Sequence, residues 1–251
     1  MLAARIANVC YDSLLAIVYP QSCAVCGGSV ESRATGVSCD QCWQQTRVFN
    51  GRETLCWKCG LLSHGSVPAE REEEVRCRRC DDLEFTAARA CGTYDGALRA
   101  AVLDLKRRAF ICSRLETLLI KTASRSPLNR ATRIMPVPLH AEREKMRGFN
   151  QAAVLAGKLS AGIGVPVDDV SLVRTGHTER HRAGMDAIDR QKTVDEAFVV
   201  TNSALVKDQR ILLVDDVFTT GATVSSCARA LLHAGAADVF VLTIARPTSL
   251  V

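Results

Sequence analysis

Residues 211–236 read ILLVDDVFTTGATVSSCARALLHAGA. The first part is a buried strand of leucine and β-branched residues, and the last is a helix that runs to His233 and stops at Gly235. Between them lie two adjacent aspartates, Asp215 and Asp216, and the small-residue loop Thr219, Thr220, Gly221, Ala222 and Thr223. A strand feeding a helix through such a loop is one unit of an α/β fold.

The surrounding sequence repeats the alternation. Residues 97–110, ALRAAVLDLKRRAF, read as a helix with Leu98, Val102 and Leu105 on one face. Residues 133–140, RIMPVPLH, begin as a strand and stop at Pro136 and Pro138, because proline cannot donate to a central ladder. Residues 141–162 are charged at first and then helical. Residues 171–200 have no sustained apolar face until Phe198 to Val200, which predicts a long, partly mobile loop of functional character. Residues 238–246, DVFVLTIAR, are the closing strand. From residue 91 onward the pattern predicts a mainly parallel sheet flanked by helices.

Ligands of open α/β sheets bind at the carboxyl ends of strands, where Asp215 and Asp216 fall. The loop after them has so little side-chain bulk that backbone N–H groups and threonine hydroxyls can wrap a phosphate at a helix N-terminus. Two carboxylates beside a phosphate repel it unless they accept hydrogen bonds from hydroxyls or sit near a metal. A ribose 5-phosphate suits both features, with phosphate in the loop and 2′- and 3′-hydroxyls on the acids. A plain strand end with an Asp-Asp turn and an N-cap accounts for each residue singly, and poorly for the whole arrangement. Neither GK[ST] nor GxGxxG is present, so nucleotide-binding loops of those two kinds are excluded.

The amino-terminal third is compositionally different. Of 12 cysteines, eight form four CxxC pairs before residue 81: Cys23 and Cys26, Cys39 and Cys42, Cys56 and Cys59, Cys77 and Cys80. CxxC lets two thiolates from one tight turn reach one ion, and two such turns close a tetrahedral site. We read two structural Zn2+ sites, with sequential pairing favoured over interleaved. A redox CxxC is the rival reading, but it normally opens a helix in a thioredoxin-like setting. A closed shell of four cysteines leaves no position for catalytic water. Residues 63–76, polar and acidic, read as a solvated loop, while Cys10, Cys91, Cys112 and Cys227 read as small buried apolar residues.

A chain of 251 residues accommodates one or two domains. Residues 1–90 carry 10 Lys/Arg against 11 Asp/Glu, whereas residues 91–251 carry 22 against 16, so the net charge of +5 sits in the second part. That suits an anionic ligand, without the dense basic run of a nucleic-acid tail. The opening segment is interrupted by Asp12 and lacks a cleavage site, so a cytoplasmic protein without membrane insertion is expected, its cysteines thiols or metal ligands.

Residues 211–223, ILLVDDVFTTGAT, closely match the phosphoribosyl pyrophosphate (PRPP) signature of type I phosphoribosyltransferases. Residues 20–247 as a whole resemble the ComF family, in which cysteine knuckles precede a phosphoribosyltransferase domain. Lys106 in LDLK, the run PVPLHAEREKMRGFNQA with Arg147, Gly148, Phe149, Asn150 and Gln151, and the terminal LTIAR carry the same resemblance. It implies a helix over 1–20, a double zinc ribbon over 21–85 and a type I phosphoribosyltransferase-like domain over 90–251. It further implies Asp215 and Asp216 on the ribose hydroxyls, Thr219, Thr220, Gly221, Ala222 and Thr223 on the 5-phosphate, and Pro138, Leu139 and His140 on pyrophosphate. Lys106 and Arg147 are further ligand contacts, and Arg174, Arg190 and Lys192 belong to a hood over the reacting centre. Mg2+ is expected on the pyrophosphate, where a hard cation stabilises the leaving charge. His181 and Thr193 depart from the family pattern, standing where Gln and Asn are expected.

Two functions follow from the resemblance. One is Mg2+-dependent transfer of phosphoribosyl from PRPP to an unnamed acceptor, linked to natural transformation and DNA uptake. The other is a non-catalytic competence accessory that binds single-stranded DNA and a competence helicase and uses the pocket as a nucleotide sensor. A third, an RNA-binding regulator of nucleotide synthesis, fits poorly with an aromatic content of 5%.

Overall fold

Side chains alternate between two buried faces along strand β5, Arg210–Val217: Ile211 and Leu213 on one, Leu212 and Val214 on the other, all with no exposed surface. A strand buried on both sides requires cover on both sides, and the molecule is built around that requirement. The computed structural model describes residues 21–63, 67–175 and 197–248. The helix expected over 1–20 lies outside them.

Strand β5 lies in a four-stranded parallel sheet with β1 Ala87–Thr93, β2 Arg133–Pro136 and β6 Asp238–Arg246, in the order β1-β6-β5-β2. Pro136 ends β2 at the edge, the position proline tolerates. Two short strands, β3 Leu172–Arg174 and β4 Phe198–Val200, pair antiparallel beside the sheet. The helices are α1 Asp40–Gln45, α2 Gly96–Leu105, α3 Ser113–Ala123, α4 Ala141–Arg147, α5 Gln151–Ile163 and α6 Ala222–His233.

One face, carrying Leu212, Val214, Phe240 and Leu242, is covered by Leu98 and Val102 of α2, Leu115 and Leu119 of α3, and Leu155 and Leu159 of α5, with Trp43 of α1. The other, carrying Ile211, Leu213, Val239 and Val241, is covered by Val224, Ala228 and Leu231 of α6, by Leu172 and Phe198, and by Phe85 with Cys56, Cys59 and Cys80. Each fully buried side chain of this size contributes about 1.5–3 kcal/mol. The two cysteine segments therefore reach opposite faces of one sheet. They also cover the outer edge of β1: Phe49 N donates to Cys91 O at 2.8 Å, Thr93 N to Arg47 O at 3.0 Å, and Ala88 N to Lys58 O at 2.6 Å.

Three sequence expectations change. Helix α2 stops at Leu105 and not at Phe110, because Arg107, Arg108 and Ala109 are exposed and offer nothing to bury. The stretch expected to be a loop from residue 171 begins as strand β3, whose Leu172 reaches the core. Within residues 63–76, Ala69–Glu74 form a 3-10 helix rather than open loop. Residues 64–66 and 176–196 lie outside the described residues.

Candidate functional site

Backbone N–H groups of the CxxC turns point at sulfurs of their own turn and of the paired turn. Val25 N and Cys39 N point at Cys23 Sγ at 3.4 and 3.3 Å, and Cys77 N points at Cys56 Sγ at 3.3 Å. The eight sulfurs gather into two groups, Cys23, Cys26, Cys39, Cys42 and Cys56, Cys59, Cys77, Cys80, each with all its sulfurs within 4.8 Å of one another. Pairing is sequential. Separations are 3.7 Å for Cys23–Cys42, 3.8 Å for Cys26–Cys39, 3.6 Å for Cys56–Cys80 and 3.5 Å for Cys59–Cys77. A tetrahedral Zn2+ with bonds of about 2.3 Å sets its sulfurs about 3.8 Å apart. A disulfide would need about 2.05 Å. The donor sets therefore fit closed, structural zinc.

Crowding makes these thiols interdependent. The hydrogen bond between Cys56 and Cys59 holds the Cys56 thiol down and pushes the Cys59 thiol up, so the loss of a proton by one opposes its loss by the other. Elemental analysis should find two zinc ions per chain, matching the two sulfur groups, and Cys23→Ser should reduce this to one. One zinc in the unaltered protein would contradict the two-site assignment.

At the carboxyl end of β5 the chain places Asp215 and Asp216, both partly buried. Lys106, directly after α2, brings its Nζ to 3.2 Å from Asp216 Oδ2, with side chains 34% and 17% exposed. Asp216 N donates to Asp215 Oδ1 at 2.8 Å. Burial, reinforced by the neighbouring Asp216 charge, raises the Asp215 carboxyl to about 7. The pair therefore sets one acid against a lysine and leaves the other carboxyl poised near neutrality.

Beyond Phe218, Thr219 and Thr220 are exposed, Gly221 takes φ 85°, and Ala222 and Thr223 open α6. Thr220 Oγ1 accepts from Ala222 N at 3.3 Å, while the first-turn N–H groups of α6 face the loop. Pro138, Leu139 and His140 follow β2 alongside: Val137 N donates to Val214 O at 2.9 Å, which fixes this segment beside the aspartates. His140 Nδ1 caps α4 by accepting from Glu142 N at 3.3 Å. Asn150 joins the two segments, donating from Nδ2 to Val137 O at 3.1 Å and accepting from Ala152 N at 2.9 Å. Arg147 ends α4 just before it.

Arg174, at the end of β3, lies over the Phe198 ring at 5.5 Å and within electrostatic reach of Cys227 on α6. Arg190 and Lys192, like His181 and Thr193, lie outside the described residues. The structure thus brings Lys106, Asp215, Asp216, residues 138–140 and residues 219–223 to the carboxyl edge of the sheet. Cys91, Cys112 and Cys227 are buried, and burial raises each thiol, Cys91 to about 12, which leaves them unreactive packing groups.

Sequence reading missed what stands behind the loop. Leu83, Phe85 and Ser225 pack around Phe218 and Gly221 with no signal beyond apolar or small character at scattered positions, and Arg246, whose signal was its place in LTIAR, lies over the Phe218 ring.

The phosphoribosyl transferase domain family matches residues 150–249, and the double zinc ribbon domain family matches residues 14–83. The DNA utilization protein YhgH of Salmonella typhimurium is 32% identical over 241 residues, covering 92% of this chain and 99% of that protein. The competence protein F of Haemophilus influenzae is 34% identical, covering 53% of this chain and 59% of that protein. The competence protein ComFC of Bacillus subtilis is 27% identical, covering 82% and 90%. Among the described residues no helix is long and apolar enough to cross a membrane. With both domains in this order and likeness running through nearly its whole length, the chain belongs to the ComF family of double zinc ribbon, phosphoribosyltransferase-domain proteins.

Proposed function

We propose that the protein binds PRPP with Mg2+ and transfers its phosphoribosyl group to a nucleophilic acceptor. The observation that carries this reading is the joint placement of Asp215, Asp216 and Lys106 beside the TTGAT loop at one strand end. A ligand with a phosphate at one end and a diol in the middle satisfies both halves of that arrangement.

The loop N–H groups and the Thr219, Thr220 and Thr223 hydroxyls hold the 5-phosphate. Asp216, oriented by Lys106, accepts from one ribose hydroxyl, and Asp215 accepts from the other. Pro138, Leu139 and His140, with Arg147, line the pyrophosphate side. Mg2+, when bound, would lie on the pyrophosphate through substrate oxygens and stabilise the leaving charge. The C1–oxygen bond to pyrophosphate breaks with the electron pair leaving on oxygen. The acceptor's lone pair forms the new bond to C1, and its proton passes to solvent. On this reading Arg174, Arg190 and Lys192 have the role of stabilising charge at the reacting centre.

The names of the relatives, DNA utilization protein and competence protein, support placing this activity in the handling of imported DNA. The division into a ribbon region over 21–85 and a transferase region over 90–251 is part of the same reading.

Titration calorimetry with PRPP and Mg2+ should show saturable binding that the Asp215→Ala/Asp216→Ala double variant abolishes while its zinc content stays at the wild-type level. Consumption assays across purines, pyrimidines, amines and DNA ends then name the acceptor. A folded, zinc-replete protein that does not bind PRPP refutes the reading, and salt-sensitive binding of single-stranded DNA by that protein would favour the accessory role.

A further inference from the structure

The two cysteine centres have different neighbours. The sulfurs of the first, with Val30, form a small apolar cluster of their own. Those of the second belong to the same buried cluster as Phe85, Phe218, Val224 and the β5 side chains Ile211 and Leu213. Its last ligand, Cys80, is followed within five residues by Leu83 and Phe85, and both lie against the phosphate loop.

The contacts are specific. A Cβ placed on Gly221 would fall 2.7 Å from Phe218 Cζ and 3.1 Å from Leu83 Cδ1, so the turn that starts α6 rests directly on these two side chains. Phe85 meets Phe218 edge to face, with centroids 5.8 Å apart and planes at 84°. Glu84 N donates to Ser225 Oγ on the first turns of α6 at 2.9 Å, and Glu84 Oε1 lies 3.5 Å from Arg229 Nε.

Arg246, the last residue of β6, closes the circuit. It is 4% exposed, its guanidinium lies over Phe218 at 5.1 Å, and Nη1 donates to the carbonyl oxygen of the ligand Cys59. Among the described residues its buried Nε has no hydrogen-bond partner. A buried guanidinium with an unanswered donor is costly unless an anion faces it. A zinc ion with four thiolates carries two net negative charges, and Cys59 feels the Arg246 charge. Arg89 of β1 lies on the same centre, over the Trp57 ring at 5.0 Å, donating to Trp57 O at 2.8 Å and acting on Cys56 and Cys59. Two cations of the sheet thus answer the charge of the second metal complex, and one of them also holds the phenylalanine under the phosphate loop.

We propose that the second zinc centre and the phosphate loop form one thermodynamic unit, with Arg246 as the positioning residue that couples them. Metal at Cys56, Cys59, Cys77 and Cys80 and a phosphate ester on Thr219 to Thr223 raise each other's affinity, and the Cys23 centre stands outside this coupling. The proposal rests on the reading of the loop as the PRPP site. Reciprocity is a thermodynamic necessity for any such coupling, so it can be read from the metal side without measuring turnover.

The test is zinc release from the full chain to a chromogenic chelator, with and without saturating PRPP and Mg2+. Trp43 follows the ligand Cys42 and Trp57 follows the ligand Cys56, so Trp43→Phe and Trp57→Phe variants assign each kinetic phase by the fluorescence that remains. Because a gain in affinity falls mainly on dissociation, PRPP should slow the Trp57-reported phase about tenfold, inside the usual range of coupling between sites, and leave the Trp43-reported phase unchanged. Arg246→Met should abolish the slowing while PRPP at higher concentration still binds, and Arg246→Lys should restore part of it. If calorimetry on the same sample shows no PRPP binding, the loop reading falls and the proposal with it. If PRPP binds but slows neither phase, or both equally, only the coupling is overturned.

Discussion

Gly221→Ala is expected to destabilise the protein by about 2–5 kcal/mol and to weaken PRPP binding by more than tenfold, combining a left-handed backbone penalty of about 1–2 kcal/mol with overpacking of about 1–3 kcal/mol. Gly221 has φ 85°, in the left-handed region that a side chain disfavours. The new methyl group would also press on Phe218 Cζ and Leu83 Cδ1, which are not free to retreat. Phe218 is held on one side by Phe85 and on the other by Arg246, and the strain has to move the loop itself. Displacement of a few tenths of an ångström re-aims the N–H groups that hold the phosphate, so affinity and stability fall together. Gly164→Ala supplies the reference, because Gly164 has φ 72° with nothing within 4 Å of its added Cβ. It should cost about 1 kcal/mol and leave binding unchanged. Urea unfolding and calorimetry of both variants measure the difference. Equal stability losses in the two would show that Leu83 and Phe218 do not brace the turn.

How much of this was legible in the sequence depends on what kind of signal each part leaves. The β5 strand, the loop and α6 were readable because a continuous apolar run, two acids and a small-residue loop follow one another without interruption. The CxxC turns were readable because their spacing is a local constraint, whereas the sequential order of their pairing was only the favoured alternative. Strand β1 was not, since AARACGT is built from small residues with little strand preference and straddles the gap between the two expected regions, 21–85 and 90–251. Strand β3 has only three residues, and its partner lies more than twenty positions later. The bracing of the loop was invisible for a different reason. Leu83, Phe85 and Arg246 lie far from residue 221 in the chain, and only the docking of the second ribbon on the α6 face brings them together. The chemistry at the strand end is local and can be read, whereas its support is long-range and cannot.

Asp215→Asn should reverse in sign of benefit between stability and ligand binding, and its stability effect should depend on pH in a direction opposite to that of a salt-bridged carboxylate. In the folded protein the Asp215 carboxyl rises from 3.8 to about 7, first through burial and then through Asp216, against the pull of the Asp216 N–H and of Lys106. Between those two values the folded chain retains a proton that the unfolded chain has released. Stability contributed by this group is therefore present at acid pH, declines as pH rises from about 4 to about 7, and stays low above that. At 1.36 kcal/mol per pH unit the full span is on the order of 4 kcal/mol, and partial exposure of the site brings the expected effect nearer 2 kcal/mol. Asparagine reproduces the protonated form: its oxygen still accepts from Asp216 N, and no charge is buried beside Asp216. The variant should therefore match the wild type near pH 4 and exceed it by about 2 kcal/mol at pH 8. PRPP binding should change the other way, weakening most at pH 8, where the ionised Asp215 is the stronger acceptor for a ribose hydroxyl. Urea titrations at pH 4, 6 and 8, paired with calorimetry at pH 6 and 8, separate the two trends. A stability difference that does not vary with pH would remove Asp215 as the proton-holding group. Retention of so costly an acid at a buried strand end is what a site requires when its ligand, and not the fold, supplies the compensating hydrogen bonds.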